Sequence, residues 1–172
     1  VSLFADFIYD YETEVIEQNI PNRLLPPSSE HPFGTDEFGR ELLARIIHGS
    51  RMSLIVSFSS VFLSFLVGGA LGAISGYFGG MIDSVIMRIV DVLLAIPMTL
   101  FAIVIVAALG ASTVNLALAL AASSVPIFAR IVRGSVLTVR DVDYIEAARA
   151  IGAKDSRIIL KHVLPNCLGP VI

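Results

Sequence analysis

Two stretches of this 172-residue chain carry no formally charged side chain: residues 52–82, a run of 31, and residues 92–129, a run of 38. A helix needs about 20 mostly apolar residues to cross the roughly 30 Å hydrocarbon core of a bilayer. The first run is therefore one span plus a turn, with Gly76-Tyr77-Phe78-Gly79-Gly80 reading as its exit. The second has loop residues at its middle, Gly110-Ala111-Ser112-Thr113-Val114-Asn115, where the chain can reverse. It divides into two spans, near 84–109 and 114–134. The predicted fold class is all-α, a polytopic membrane protein with three transmembrane helices. Charged residues make up 16% of the chain against about a quarter of a soluble domain, which argues against a water-soluble enzyme or a nucleic-acid binder.

The charges segregate. Residues 1–51 carry a net −5, residues 52–129 hold only Asp83, Arg88 and Asp91, and residues 130–172 carry a net +3. Lys and Arg beside a span mark its cytoplasmic side. Arg130, Arg133, Arg140, Arg149, Lys154, Arg157 and Lys161 follow the third span, whereas Arg40, Arg45 and Arg51 precede the first. The bias places residues 1–50 outside, spans over 51–135, and residues 136–165 in the cytoplasm, with the next span starting before residue 172.

The first span carries Ser60, Ser64, Gly68, Gly72, Gly76 and Gly80, one small residue per turn along one stripe. In lipid such a stripe lets helix backbones approach closely, so it predicts packing against a neighbouring helix. Lining a solute path is the sharper reading of the same stripe. Arg88 and Asp91 are spaced i,i+3 and can satisfy each other at the start of the second span, an interfacial structural pair rather than a proton or ion relay. Pro97 and Pro126 each remove a backbone donor and predict kinks.

In the head, Thr35 or Asp36 can cap a helix, with Asp36 and Glu37 near its positive end. Phe38, Leu42, Ile46 and Ile47 give that helix an apolar side, which would rest on the membrane surface before the first span. Residues 1–7 are too short to span and read as the end of a truncated helix. Pro21, Pro26, Pro27 and Pro32 make an extended connector. His31 and His48 have no companions at metal-ligand spacing, so no metal site is expected. The single cysteine, Cys167, has no internal disulfide partner and reads as a buried or lipid-facing thiol.

The tail predicts an elbow. Asp143 followed by Glu146 has capping-box spacing. The helix it opens, 144–151, ends at Gly152, which can take the left-handed conformation. A second short helix over about 155–164 meets Pro165, which discourages continuation. Lys154, Arg157 and Lys161 share one face of it, and Ile158, Ile159 and Val163 form an apolar patch. Such an elbow would suit docking into a groove on another protein.

Glu146-Ala147-Ala148, then Gly152 after three residues, and later Leu164-Pro165 resemble the EAA cytoplasmic loop of bacterial ABC-importer permeases. His162 replaces the isoleucine of the broad pattern, as is typical of the peptide/nickel branch. Three further stretches resemble the same branch: residues 31–40 (HPFGTDEFGR), 76–80 (GYFGG) and 144–149 (YIEAAR). Together they are similar to the second, C-type permease subunit of a dipeptide/oligopeptide importer of the bacterial cytoplasmic membrane. The resemblance implies six spans, of which this chain would run from the end of the first to the start of the fifth. It implies a second permease subunit, two cytoplasmic ATPases and an external solute-binding protein as partners, with ATP and Mg held by the ATPases and no cofactor in this chain. It also implies roles: Glu146 as polar contact in the ATPase groove, Ala147 and Ala148 as close-packing surface, Gly152 as hinge, and Leu164 with Pro165 setting the angle to the next span.

No Gly-x-x-x-x-Gly-Lys-Ser/Thr loop is present to cradle a nucleotide, so ATP hydrolysis falls to a partner. An intramembrane hydrolase is excluded, because residues 52–134 hold no histidine to activate a serine. A non-transporting membrane scaffold explains the helices but not the elbow. Nickel import is the close competitor to peptide import, and the histidines of this subunit do not separate the two. The path-lining residues are not legible.

Overall fold

The computed structural model describes residues 11–167, so the expectations for residues 1–7 and for a further span over 168–172 lie outside it. The described residues are helical with no strand, apart from one isolated bridge between Thr35 and Glu41. The chain divides into two compact units, residues 1–57 and 58–172. In order, the main helices are α1 (Leu42–Phe78), α2 (Gly80–Leu94), α3 (Met98–Leu109), α4 (Thr113–Val139), α5 (Asp143–Ala150), α6 (Asp155–Ile158) and α7 (Leu164–Cys167).

In the first unit, a π turn (Tyr11–Ile16) and a 3-10 turn (Ile20–Asn22) precede a loop tied by backbone bonds from Leu24 to Asp36 and from Thr35 to Leu25. Asp36 organises this loop rather than a helix. Its carboxylate accepts from the amides of Phe38 and Arg40 at 2.8 and 3.0 Å and pairs with the guanidinium groups of Arg40 and Arg45. Burial pushes the Asp36 carboxyl up, but these hydrogen bonds and the Arg40 charge outweigh it and hold the pKa at about 2. His31 Nδ1 lies 2.6 Å from Glu41 Oε2. The expected helix start at Thr35 or Asp36 is thus corrected. The Asp36 side chain saturates the amides a helix would need, Gly39 turns left-handed (φ 75°), and the helix starts at Leu42. No separate surface helix forms either, since residues 42–78 make one uninterrupted helix.

The second unit is a helical bundle built inside out. The most apolar windows of α1 and α4 are only 22% and 28% buried, and Phe58 is 74% exposed, so the apolar surface faces outward as it would toward lipid. At 1.5 Å per residue the 37 residues of α1 and 27 of α4 reach about 55 and 40 Å, enough to cross a bilayer. The second expected span is not one helix. Pro97 lacks an amide proton and pushes Ile96 out of the helical region, and the chain breaks into α2 and α3, bent by 88°. Each alone, 15 and 12 residues, is too short to cross. Pro126, by contrast, is buried inside α4 without ending it. The Ser112 side chain caps α4 by accepting from the Asn115 amide at 3.1 Å.

The small-residue stripe of α1 lies against α4. Ser60 and Ser64 donate to the carbonyls of Ala117 and Ala121 at 3.0 and 2.9 Å. A Cβ on Gly68 would fall 2.5 Å from the Val125 carbonyl oxygen, and one on Gly72 would fall 2.4 Å from that of Ala129. A Cβ on Gly76 would meet Val136 Cβ at 2.8 Å and the Arg133 carbonyl at 3.1 Å, whereas Gly80 has open space around it. The sequence separation is 57 at both serine bonds and recurs at the glycines, so α1 and α4 run parallel and in register. Parallel spans require the chain between them to return across the membrane. A re-entrant α2–α3 would start and end on one side, whereas a bent crossing meets the requirement and brings the number of candidate spans to three.

Candidate functional site

The expected elbow is present, with different boundaries. Val142 precedes α5 without a side-chain cap, and Asp143 is its first residue rather than its cap. Asp143 and Glu146 still sit in the first turn and Arg149 in the last, the arrangement the helix dipole favours. Gly152, at φ 79°, closes the first arm. Its amide bonds to the Arg149 carbonyl, and the Ala153 amide bonds back to the Ala148 carbonyl. The second arm runs from α6 through a widened π turn (Ile159–Val163) into α7. Pro165 therefore does not stop it. The widened turn precedes the proline, which falls at the second position of α7, where a missing amide proton costs little.

One face of the elbow is buried. Ile145, Ala148, Ile158, Val163 and Cys167 pack with Ala73 and Tyr77 of α1 and Val132 and Val136 of α4. Leu164 is half-buried against this cluster, and Pro165 is exposed. The Glu146-Ala147-Ala148 stretch is split: Glu146 and Ala147 are exposed, and Ala148 turns inward. Ile151, between the arms, is 85% exposed.

Three consecutive residues at the end of α1 each reach a different element, and the third holds the elbow. The Ser75 hydroxyl donates to Asp83 of α2, and Arg133 of α4 closes on the same carboxylate with two bonds at 2.5 and 2.6 Å. The Gly76 carbonyl accepts from Arg140 at 3.0 Å. The Tyr77 hydroxyl donates to Asp155 of α6 at 2.6 Å, while the Arg149 guanidinium of α5 lies 4.9 Å from the Tyr77 ring centre. Gly79 and Gly80, both at positive φ, then turn the chain sharply into α2, a conformation that a side chain would strain. An open cleft of about 400 Å³ borders the joint, lined by Tyr77, Phe78, Arg140, Asp141, Arg149 and Asp155.

Sequence reasoning read residues 76–80 as an exit turn, as the end of the small-residue stripe and as a family-like stretch, and missed Ser75 and Tyr77 as contacts. It also paired Arg88 with Asp91. The structure instead pairs Asp91 with Arg130 at 2.5 Å and leaves Arg88 exposed. The overlooked signal was depth: a charge at the start of one span finds its partner on another span at the same level, as Asp83 does with Arg133. No group of three or more His, Cys, Asp or Glu able to hold a metal occurs among the described residues.

Residues 68–172 match the family described as binding-protein-dependent transport system inner membrane component. Over its whole length the chain is 46% identical to the dipeptide transport system permease protein DppC of Alkalihalophilus pseudofirmus, covering 56% of that protein. It is 39% identical to DppC of Haemophilus influenzae, covering 60% of it, and 42% identical to the glutathione transport system permease protein GsiD of Pectobacterium atrosepticum, covering 57%. The chain thus spans little more than half the length of these relatives. The residues that suggested an importer permease lie in a sequence that aligns with such permeases from end to end, and the chain belongs to the family of binding-protein-dependent transport system inner membrane components.

Proposed function

We propose that the chain is the central part of a permease subunit of an ATP-driven importer that moves dipeptides or oligopeptides across the bacterial cytoplasmic membrane. The observation that carries this reading is the elbow itself, anchored to α1 and α4 by its inner face while Glu146, Ala147 and Ile151 remain open outward. An open, partly apolar edge of this kind fits a groove on a cytoplasmic ATPase. Two such ATPases hold and hydrolyse ATP with Mg, a second permease subunit completes the path, and an external binding protein delivers substrate. Residues 1–50 face outward and 136–165 the cytoplasm, supported by the excess of Lys and Arg after α4 begins its last turns. Closure of the ATPases pushes on the elbow, with Gly152 as the hinge between its arms, and the attached helices switch the path between its two openings. The relatives' names, dipeptide and glutathione permeases, favour small peptides over nickel as cargo.

The test is disulfide trapping in membranes, with cysteine at Ala147 in a Cys167→Ser background and single cysteines along the ATPase groove. A cross-link whose yield changes with nucleotide is expected. No cross-link at any ATPase position, in an inserted and folded subunit, sinks the coupling role of the elbow.

A further inference from the structure

We propose that Tyr77 is a positioning residue that fixes the elbow to α1 and so delivers elbow displacement to the first long helix; the proposal rests on the permease reading. Tyr77 is 6% exposed, and it meets both arms at once: its hydroxyl bonds to Asp155 of the second arm, and its ring lies under Arg149 of the first. The remaining contacts between α1 and the elbow in the buried cluster are apolar, from Ala73 and the Tyr77 ring to Ile145, Ile158 and Val163. Apolar contacts hold surfaces together without fixing their register, because the attraction is non-directional. A hydrogen bond at 2.6 Å to a carboxylate fixes distance and angle. The neighbouring Ser75 and Gly76 bind the same turn of α1 to α2 and α4. A shift of the elbow that retains the Tyr77–Asp155 bond therefore moves the end of α1 and, with it, the other two helices. Without the hydroxyl, the elbow slides over an intact apolar surface.

The experiment uses the full-length subunit assembled with its partner permease and ATPases in proteoliposomes, with ATP hydrolysis and uptake of a labelled dipeptide measured together. Tyr77→Phe keeps the ring under Arg149 and removes the bond to Asp155 together with the long bond, 3.4 Å, that Arg149 Nε donates to the same hydroxyl. It is expected to lower dipeptide taken up per ATP hydrolysed about tenfold, in the range of ordinary coupling between sites, with complex yield and hydrolysis retained. Asp155→Ala should match it, and the double variant should be no worse than either single one, the signature of a shared contact. Asp155→Asn, which retains an acceptor oxygen, should restore most of the uptake. Wild-type uptake per ATP in Tyr77→Phe, or losses that multiply in the double variant, would overturn the proposal. A wild-type complex that neither hydrolyses ATP nor takes up peptide would instead overturn the permease reading beneath it.

Discussion

Along α1, two adjoining segments are held by opposite means. From Ser60 to Gly72 the helix meets α4 through small residues and backbone carbonyls, with no charge in the seam. From Ser75 to Tyr77 it meets three elements through directed hydrogen bonds to charged side chains. The first contact depends on size: it is close, and only small residues fit it. The second depends on polarity, and polar partners can be released and remade. A fixed seam beside a directed joint suits a helix that keeps its register on α4 while its end stays tied to the elements around it.

Three perturbations would break or sharpen this contrast. Gly72→Leu places a large side chain where even a Cβ would lie 2.4 Å from the Ala129 carbonyl oxygen, so the seam cannot form and folded protein should not accumulate in membranes. Even Gly72→Ala should cost about 3 kcal/mol by overpacking, read as thermal unfolding in detergent. Asp83→Ala leaves Arg133 without its carboxylate and should destabilise by about 3 kcal/mol, with Asp83→Ala/Arg133→Ala recovering part of the loss. The double variant of an ion pair can recover in this way, whereas a second substitution in the seam cannot refill a lost fit. The smallest effect is one of pH, in the first unit. The Asp36 carboxyl goes from an ordinary 3.8 to about 2 on folding, worth about 2 kcal/mol. Its folded pKa is the lower one, so the contribution is complete above about pH 4 and fades as the pH falls toward 2. Protease cutting within residues 19–40 should rise over that window, and Asp36→Asn should abolish the dependence. The seam, which holds no titratable group between Ser60 and Gly72, should show none.

The features that depend on composition were legible in the sequence. Uncharged runs located the helices, the four-residue recurrence of small residues identified the face of α1 that meets α4, and Gly152 marked the end of the first arm. What depends on partners distant in sequence was not legible. Asp83 and Asp91 each chose an arginine of α4 over nearer groups, because their partners, 50 and 39 residues away, are set by how α2 lies against α4 and not by local spacing. Local competition hid the rest. Asp36 has the chemistry of a helix cap, but its two arginines and two amides draw it into a turn instead. Pro97 and Pro126 look alike in sequence, yet the first breaks a span by 88° and the second lies buried within a continuous helix. The inward turn of Ala148 could not be read from a motif that treats both alanines alike.

Successive residues on an α-helix point about 100° apart, so the side chains of Ser75 and Tyr77 leave nearly opposite sides of α1, while Gly76 between them offers its carbonyl to Arg140. Twisting the helix about its own axis in either direction would improve none of the three contacts without straining the others. The end of α1 therefore behaves as a splined shaft, stiff against torsion. On the proposed coupling, a stroke arriving through the elbow would reach the first helix as a displacement and not as a rotation.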